Sequence, residues 1–283
     1  GYVHSVGEYK MIITEGIPEW LKISVGTCQG DREYQQDRMT YFTRKDHTGC
    51  MIAFLGIICD GMGGMKAGEQ ASACAVNTLQ GCLNNRKWEN MTGAELLYQC
   101  FLQMDLEVSG LKDQEGKLLY SGTTAVAVYI HMGELSVCSV GDSKVYLIRD
   151  GQMIPLTKEH NYQMLLDQGR KAGNTTEEEY QQGLSRKDAL VSYIGMGHLP
   201  YVDLNQEPIS LQPGDQLLLC SDGLYRAIPE EQLVILLERE RNPEYGLTDA
   251  EVLIQAAVQA GNRPLDNITA MVIRCEIEGG KNI

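Results

Sequence analysis

The chain has 283 residues, 43% of them hydrophobic and 22% charged, a mixture that can build a large core without disulfide staples. A formal charge of −14 argues against nucleic acid and against an anionic membrane surface as partners, because phosphates would be repelled. The nine cysteines are scattered, odd in number and nowhere spaced C-x-x-C, which points away from zinc and disulfides and toward buried free thiols in a reducing cytoplasm.

Residues 1–20 are weakly patterned and lack a basic start followed by an apolar stretch, so they read as a lead-in segment and not as a signal peptide. No apolar run approaches the roughly 18 residues of a membrane span, and no membrane insertion is expected. Short strand-like runs follow: "LKISVGTC" (21–28), "RMTYF" (38–42) and "MIAFLGIIC" (51–59). "AGEQASACAVNTLQGCL" (67–83) reads as a helix, and "TGAELLYQCFLQMDLEV" as another that opens on a capping box, Thr92 with Glu95. Three more strands are expected in "TTAVAVYI", "ELSVCSV" and "KVYLIR".

Residues 158–190 are polar and glycine-punctuated, and read as a surface insertion with short helices. The strand "DQLLLC" comes next, then a helix in "PEEQLVILLERE", where Pro229 and two acids suit a helix start. A second capping box, Thr248 with Glu251, opens the helix "TDAEVLIQAAVQAG", and "ITAMVIRCEI" reads as the last strand. No Pro/Gly/Ser linker divides the chain, so one domain is expected over 21–275, with a tail at 276–283. Strands and helices do not alternate regularly, which disfavours a doubly wound parallel sheet.

Five aspartates recur at the ends of strand-like runs. Asp60-Gly61 and Asp222-Gly223 each follow an apolar run, Gly141-Asp142 follows another, and Asp37 and Asp266 each precede one. Asp-Gly alone is a common turn. Five such carboxylates brought to one edge of a layered fold would suit hard divalent cations, since short, rigid Asp offers oxygen ligands, and glycine allows a tight turn and close approach of backbone to an ion. "GMGGMK" is no dinucleotide fingerprint, because residue 66 is Lys where a glycine is needed. No P-loop, no G-x-S-x-G elbow and no H-E-x-x-H is present. A rival is the C-x5-R spacing of Cys220 and Arg226, which is that of thiol-dependent phosphatases; there is no His before the cysteine, and the loop carries an acid that would repel phosphate.

Six motifs occur in order: "REYQQDR", "DGMGG", "SGTTAVAVYI", "VGDSKVYLIRDG", "LLLCSDGL" and "DNITAMVI". Together they resemble the metal-dependent serine/threonine phosphatases of the protein phosphatase 2C (PPM) family, its bacterial branch above all, over about residues 21–275. The resemblance implies an α+β fold, with two antiparallel β-sheets packed as a sandwich, helices on both outer faces, and 158–190 as the family's variable flap. It implies hydrolysis of phosphoserine and phosphothreonine in proteins by a water bridging two Mn²⁺ or Mg²⁺ ions, with a possible third ion. Asp60 then corresponds to the carboxylate bridging the metals, with the Gly61 carbonyl beside it; Asp222 and Asp266 to ligands of one ion; Asp37 to the acid serving the other; Asp142 with Asp222 to the holders of the third; and Arg32 to the phosphate-binding arginine. Implied partners are Ser/Thr-phosphorylated proteins, including a bacterial Ser/Thr kinase and its substrates; a monomer is expected.

Three departures stand out: Gln35 where bacterial members usually have Asn, Lys144 for the usual Arg, and Met62 where eukaryotic members often carry a His acting as general acid. His160 could donate a proton by chemistry, although a lone loop histidine is expected to be exposed. The alternative from another functional class is a pseudophosphatase that only binds; its signature would be lost metal acids, and none is lost.

Overall fold

A computed structural model describes residues 21–45, 51–84, 90–239 and 246–276; the lead-in at 1–20 and the tail beyond Glu276 lie outside the described residues. One sheet runs in the order β1 (Leu21–Cys28), β12 (Ile268–Cys275), β11 (Gln216–Cys220), β7 (Lys144–Arg149), β8 (Gln152–Pro155). The other runs β10 (Ile209–Ser210), β6 (Glu134–Val140), β5 (Ala125–His131), β3 (Met51–Met62), β2 (Asp37–Lys45), with β4 (Gly122–Thr123) on β3 and β9 (Asp203–Leu204) on β6. The pairings are antiparallel.

Period-2 alternation assigns each strand residue to a layer. In β3, Phe54 and Ile58 point between the sheets, while Leu55, Ile57 and Cys59 face α1 (Ala67–Leu83) and α2 (Gly93–Ser109). In β11, Leu217 and Leu219 point inward, whereas Leu218 and Cys220 face α6 (Glu230–Glu238) and α7 (Asp249–Ala260). Strands buried on both faces read as continuous apolar runs, which is how they look in the sequence. The architecture is therefore helix, sheet, sheet, helix, as the resemblance implies.

Local signals fix the helices. The capping boxes of α2 (Thr92, Glu95) and α7 (Thr248, Glu251) are both formed. α1 lacks a side-chain cap; its buried stripe of Gly68, Ala71, Ser72, Ala75 and Leu79 keeps helical spacing and seats it against β3. Within the insertion, α3 (Tyr162–Lys171) is capped by Asn161 and α4 (Glu177–Gly183) by a third box, Thr176 with Glu179. The described cysteines are free thiols.

Candidate metal centre

All five aspartates come to one end of the sandwich. Asp37 begins β2 and pairs across the ladder with Asp60, so their side chains share a face. Asp142 sits in the turn between β6 and β7, Asp222 follows β11, and Asp266 precedes β12. One carboxylate oxygen each from Asp60, Asp142 and Asp222 lie within 4.8 Å of one another. Asp37 and Asp266 flank this triad.

Two details differ from the strand-end expectation. Asp60 lies inside β3, which continues through Gly61 to Met62, because β4 pairs with those last residues. Asp222-Gly223 makes no turn; it opens a short helix, α5 (Asp222–Tyr225). The glycines serve close approach instead. A Cβ on Gly61 would lie 1.9 Å from the Gly68 carbonyl oxygen, and one on Gly223 would lie 2.1 Å from that of Asn267.

The inner layer turns polar at this end. Thr269 Oγ1 donates to Asp37 Oδ2 at 2.6 Å, yet Asp37 Oδ1 is buried with no hydrogen-bond partner among the described residues. Burial pushes the Asp37 carboxyl up to about 6. Asp60 is pushed well above its usual range by burial, then by the charges of Asp37 and Asp222. Asp142 reaches about 7 through burial and the Asp222 charge, with Arg226 pulling the other way. Burial and the Asp266 charge raise Asp222. Crowded, desolvated carboxylates with an unsatisfied buried oxygen are what a site built for hard cations presents. The donor set is all oxygen, and it fits divalent Mn or Mg.

A second set of residues, whose bracing role the sequence did not reveal, fixes these acids. Thr124 Oγ1 accepts from the Asp60 amide at 3.1 Å and lies 2.7 Å from Ser143 Oγ, tying the β3 acid to the Asp142 turn. Gly141 has φ +109, and a Cβ there would meet Thr124 at 2.8 Å. Tyr225 donates its hydroxyl to the Asp142 carbonyl at 2.7 Å. His160 is not exposed as expected; it is 2% accessible. Its Nδ1 accepts the Gly141 amide at 3.0 Å, its own amide donates to the Gly141 carbonyl, and its Nε2 lies 3.4 Å from Asp203. Nδ1 braces the Asp142 turn and Nε2 faces Asp203, so both ring nitrogens are engaged and His160 is not placed to protonate a leaving group.

Asn267 braces the other side, accepting from the Gln36 amide and donating to the carbonyls of Gln29 and Tyr34. That loop carries Arg32, whose Nε donates to Asp266 Oδ1 at 2.9 Å. Gln35 Nε2 reaches Thr27 Oγ1 at 3.1 Å, and its Oε1 accepts from the Asp37 amide. Lys144 pairs with Glu159 at 3.5 Å and lies over the Tyr225 ring. Met62 lines a groove of about 550 Å³ beside the site, with Leu118, Tyr120 and Tyr193.

The thiol rival finds no support in this geometry. Cys220 is 0% exposed on the helix side of β11, and burial raises its thiol pKa, the reverse of a reactive thiolate. Arg226 is turned to Asp222 and Asp142.

Known phosphatases are similar to this chain in sequence and in fold. The family model described as protein phosphatase 2C matches residues 22–166, just over half of the chain. The serine/threonine phosphatase stp of Listeria monocytogenes is 28% identical over 253 residues, covering 87% of this chain and 92% of that protein. The structure of the S. agalactiae serine/threonine phosphatase superposes with a TM-score of 0.71 at 28% identity, covering 91% of this chain and all of that one. The catalytic domain of the phosphatase PstP, crystallised with two manganese ions, shares the fold at a TM-score of 0.67 and 24% identity, over 91% of this chain and 99% of that one. On the match over 22–166, the chain belongs to the protein phosphatase 2C (PPM) family of serine/threonine protein phosphatases.

Proposed function

We propose that the chain hydrolyses phosphoserine and phosphothreonine in proteins at the carboxylate cluster, using two divalent ions, Mn²⁺ or Mg²⁺. The observation that carries this reading is the convergence of Asp60, Asp142 and Asp222 within 4.8 Å. In this reading Asp60, with the Gly61 carbonyl beside it, would hold both ions, Asp222 and Asp266 would serve one and Asp37 the other, and a cation there would answer the unpartnered buried Oδ1 of Asp37. When bound, such ions neutralise phosphoryl oxygens and activate water near neutral pH.

The remaining work falls to the chain. Arg32, 61% exposed at the rim, offers a planar guanidinium to phosphoryl oxygens, while its contact with Asp266 keeps it at the mouth of the site. Thr124, Ser143 and His160 hold the Asp60 strand and the Asp142 turn in register, so the acids need no rearrangement when a substrate arrives. Phosphoryl transfer asks for this kind of positioning more than for covalent help from the protein. Met62 cannot donate a proton, so the leaving serine or threonine oxygen must take its proton from solvent or from another group in the site.

In this reading residues 21–275 act as one catalytic domain, with 158–190 as the flap that faces substrates. Those substrates are Ser/Thr-phosphorylated proteins, a bacterial Ser/Thr kinase and its targets among them, met by a monomer in the cytoplasm. No described helix is long and apolar enough to cross a membrane. The test is phosphate release from a phosphothreonine peptide with Mn²⁺, with EDTA, and after thiol alkylation. Turnover that needs Mn²⁺ and survives alkylation is expected. Turnover that survives EDTA and stops on alkylation would move the site to Cys220. Folded protein inactive with every peptide and metal would favour the pseudophosphatase.

A further inference from the structure

The C-x5-R spacing that ends at Arg226 has no role in the metal reading, yet its arginine stands inside the site. α5 starts on Asp222 and Arg226 comes four residues later, so the guanidinium returns over its own helix, with Nε 3.1 Å from Asp222 Oδ2. Nη2 lies 3.8 Å from Asp142 Oδ2. Nη1 lies 3.4 Å from Asp188 Oδ1, near the far end of the 158–190 insertion. The guanidinium makes no such contact with Asp37, Asp60 or Asp266, so of the five aspartates it meets only Asp142 and Asp222.

We propose that Arg226 is a tethered cation that takes the position between Asp142 and Asp222, and so restricts the centre to two tightly held divalent ions. This inference rests on the metal reading above and departs from a third ion at that position. A further ion held by Asp142 and Asp222 would have to sit within a few ångströms of a fixed positive charge, or displace it from three carboxylates at once. Charge balance points the same way. The five aspartates and Asp188, set against the guanidinium groups of Arg32 and Arg226, sum to −4, which two divalent ions balance; a third ion would leave two surplus positive charges. Because Arg226 also holds Asp188, the same cation ties the flap to the acids, and an ion entering between Asp142 and Asp222 would have to break that tie.

The test counts ions and does not depend on turnover. Mn²⁺ uptake by wild type, Arg226→Gln and Arg226→Lys would be followed by equilibrium dialysis with metal analysis, and by titration calorimetry. Arg226 is 40% exposed at the end of a short helix, so both variants should fold, which circular dichroism checks. Wild type should saturate at two Mn²⁺ per chain. Arg226→Gln should take up a third, with its apparent affinity raised at least about tenfold, while Arg226→Lys, which keeps the charge, stays at two. Superimposable isotherms for wild type and Arg226→Gln, or a third ion held equally tightly by both, would overturn the proposal and leave the metal reading standing. Wild type that takes up no Mn²⁺ would overturn both.

Discussion

The space between the two sheets has two regions that the same strands build in opposite ways. In the middle, Phe54 and Ile58 of β3, Val126 and Val128 of β5, Leu217 and Leu219 of β11 and Met271 of β12 are at most 1% exposed and entirely apolar. At the end, the next inward positions carry Asp60 on β3 and Thr269 on β12, with Asp37 opposite Asp60. The middle is stabilised by removing apolar surface from water, which needs neither ions nor a particular pH. The end buries negative charge that only cations can offset, so its contribution to stability should depend on both. Stability is spent at the end to hold acids ready, and supplied from the middle.

Truncation in the middle should give the largest change in stability. Leu219→Ala removes a fully buried side chain and should cost about 2–5 kcal/mol, with and without Mn²⁺, in denaturant melts. A loss confined to the metal-free protein would break the comparison.

The end should respond to pH in the direction set by its raised carboxyl groups. With Asp37 at about 6 and Asp142 at about 7, the native protein holds protons that the unfolded chain, titrating near about 4, has released. That stabilisation is fully present below about pH 4 and is lost as pH rises through about 6 and 7. The metal-free protein should therefore melt several degrees lower at pH 8 than at pH 5, at least about 4 °C, and Mn²⁺ should restore more at pH 8. A metal-free Tm that rises over that range would contradict the account.

A smaller effect is expected at His160, which positions and does not react. His160→Ala should weaken Mn²⁺ binding roughly tenfold by loosening the Gly141 turn and, through Ser143 and Thr124, the hold on Asp60, while His160→Gln, able to accept from the Gly141 amide, should recover part of it. A bell-shaped pH–rate profile that loses one limb in His160→Gln would instead make it an acid or base in the reaction.

The parts of this molecule that were legible in the sequence are those with a local cause. Helix α1 falls on residues 67–83 as its apolar spacing demands, and the boxes at Thr92 and Thr248 announce their helices because both partners lie within three residues. The five acids were legible because apolar runs and glycines bracket them. Strands β9 and β10, two residues each, were not, since such pieces exist only through their pairing with β6. The bracing residues were hidden for the same reason: Thr124 meets Ser143 nineteen residues away, and Thr269 meets Asp37 across 232. Arg226 was visible only as half of a misleading cysteine spacing, and its partners Asp142 and Asp188 are far from it in the chain. His160 looked like an exposed loop residue because nothing nearby in sequence foretells the Gly141 turn that buries it.

The most direct measurement is phosphate release from a phosphothreonine peptide by wild type and Asp60→Asn, each with Mn²⁺ and with EDTA. Replacing this acid at the centre of the cluster by its neutral isostere should leave the fold intact and raise the metal-free Tm at alkaline pH, where burial and its neighbours penalise the ionised carboxylate. The account predicts Mn²⁺-dependent turnover in wild type and a loss in Asp60→Asn beyond the roughly 10–100-fold that an outer supporting residue would cost. Asp60→Asn that turns over like wild type, or wild type that is indifferent to EDTA, would contradict it.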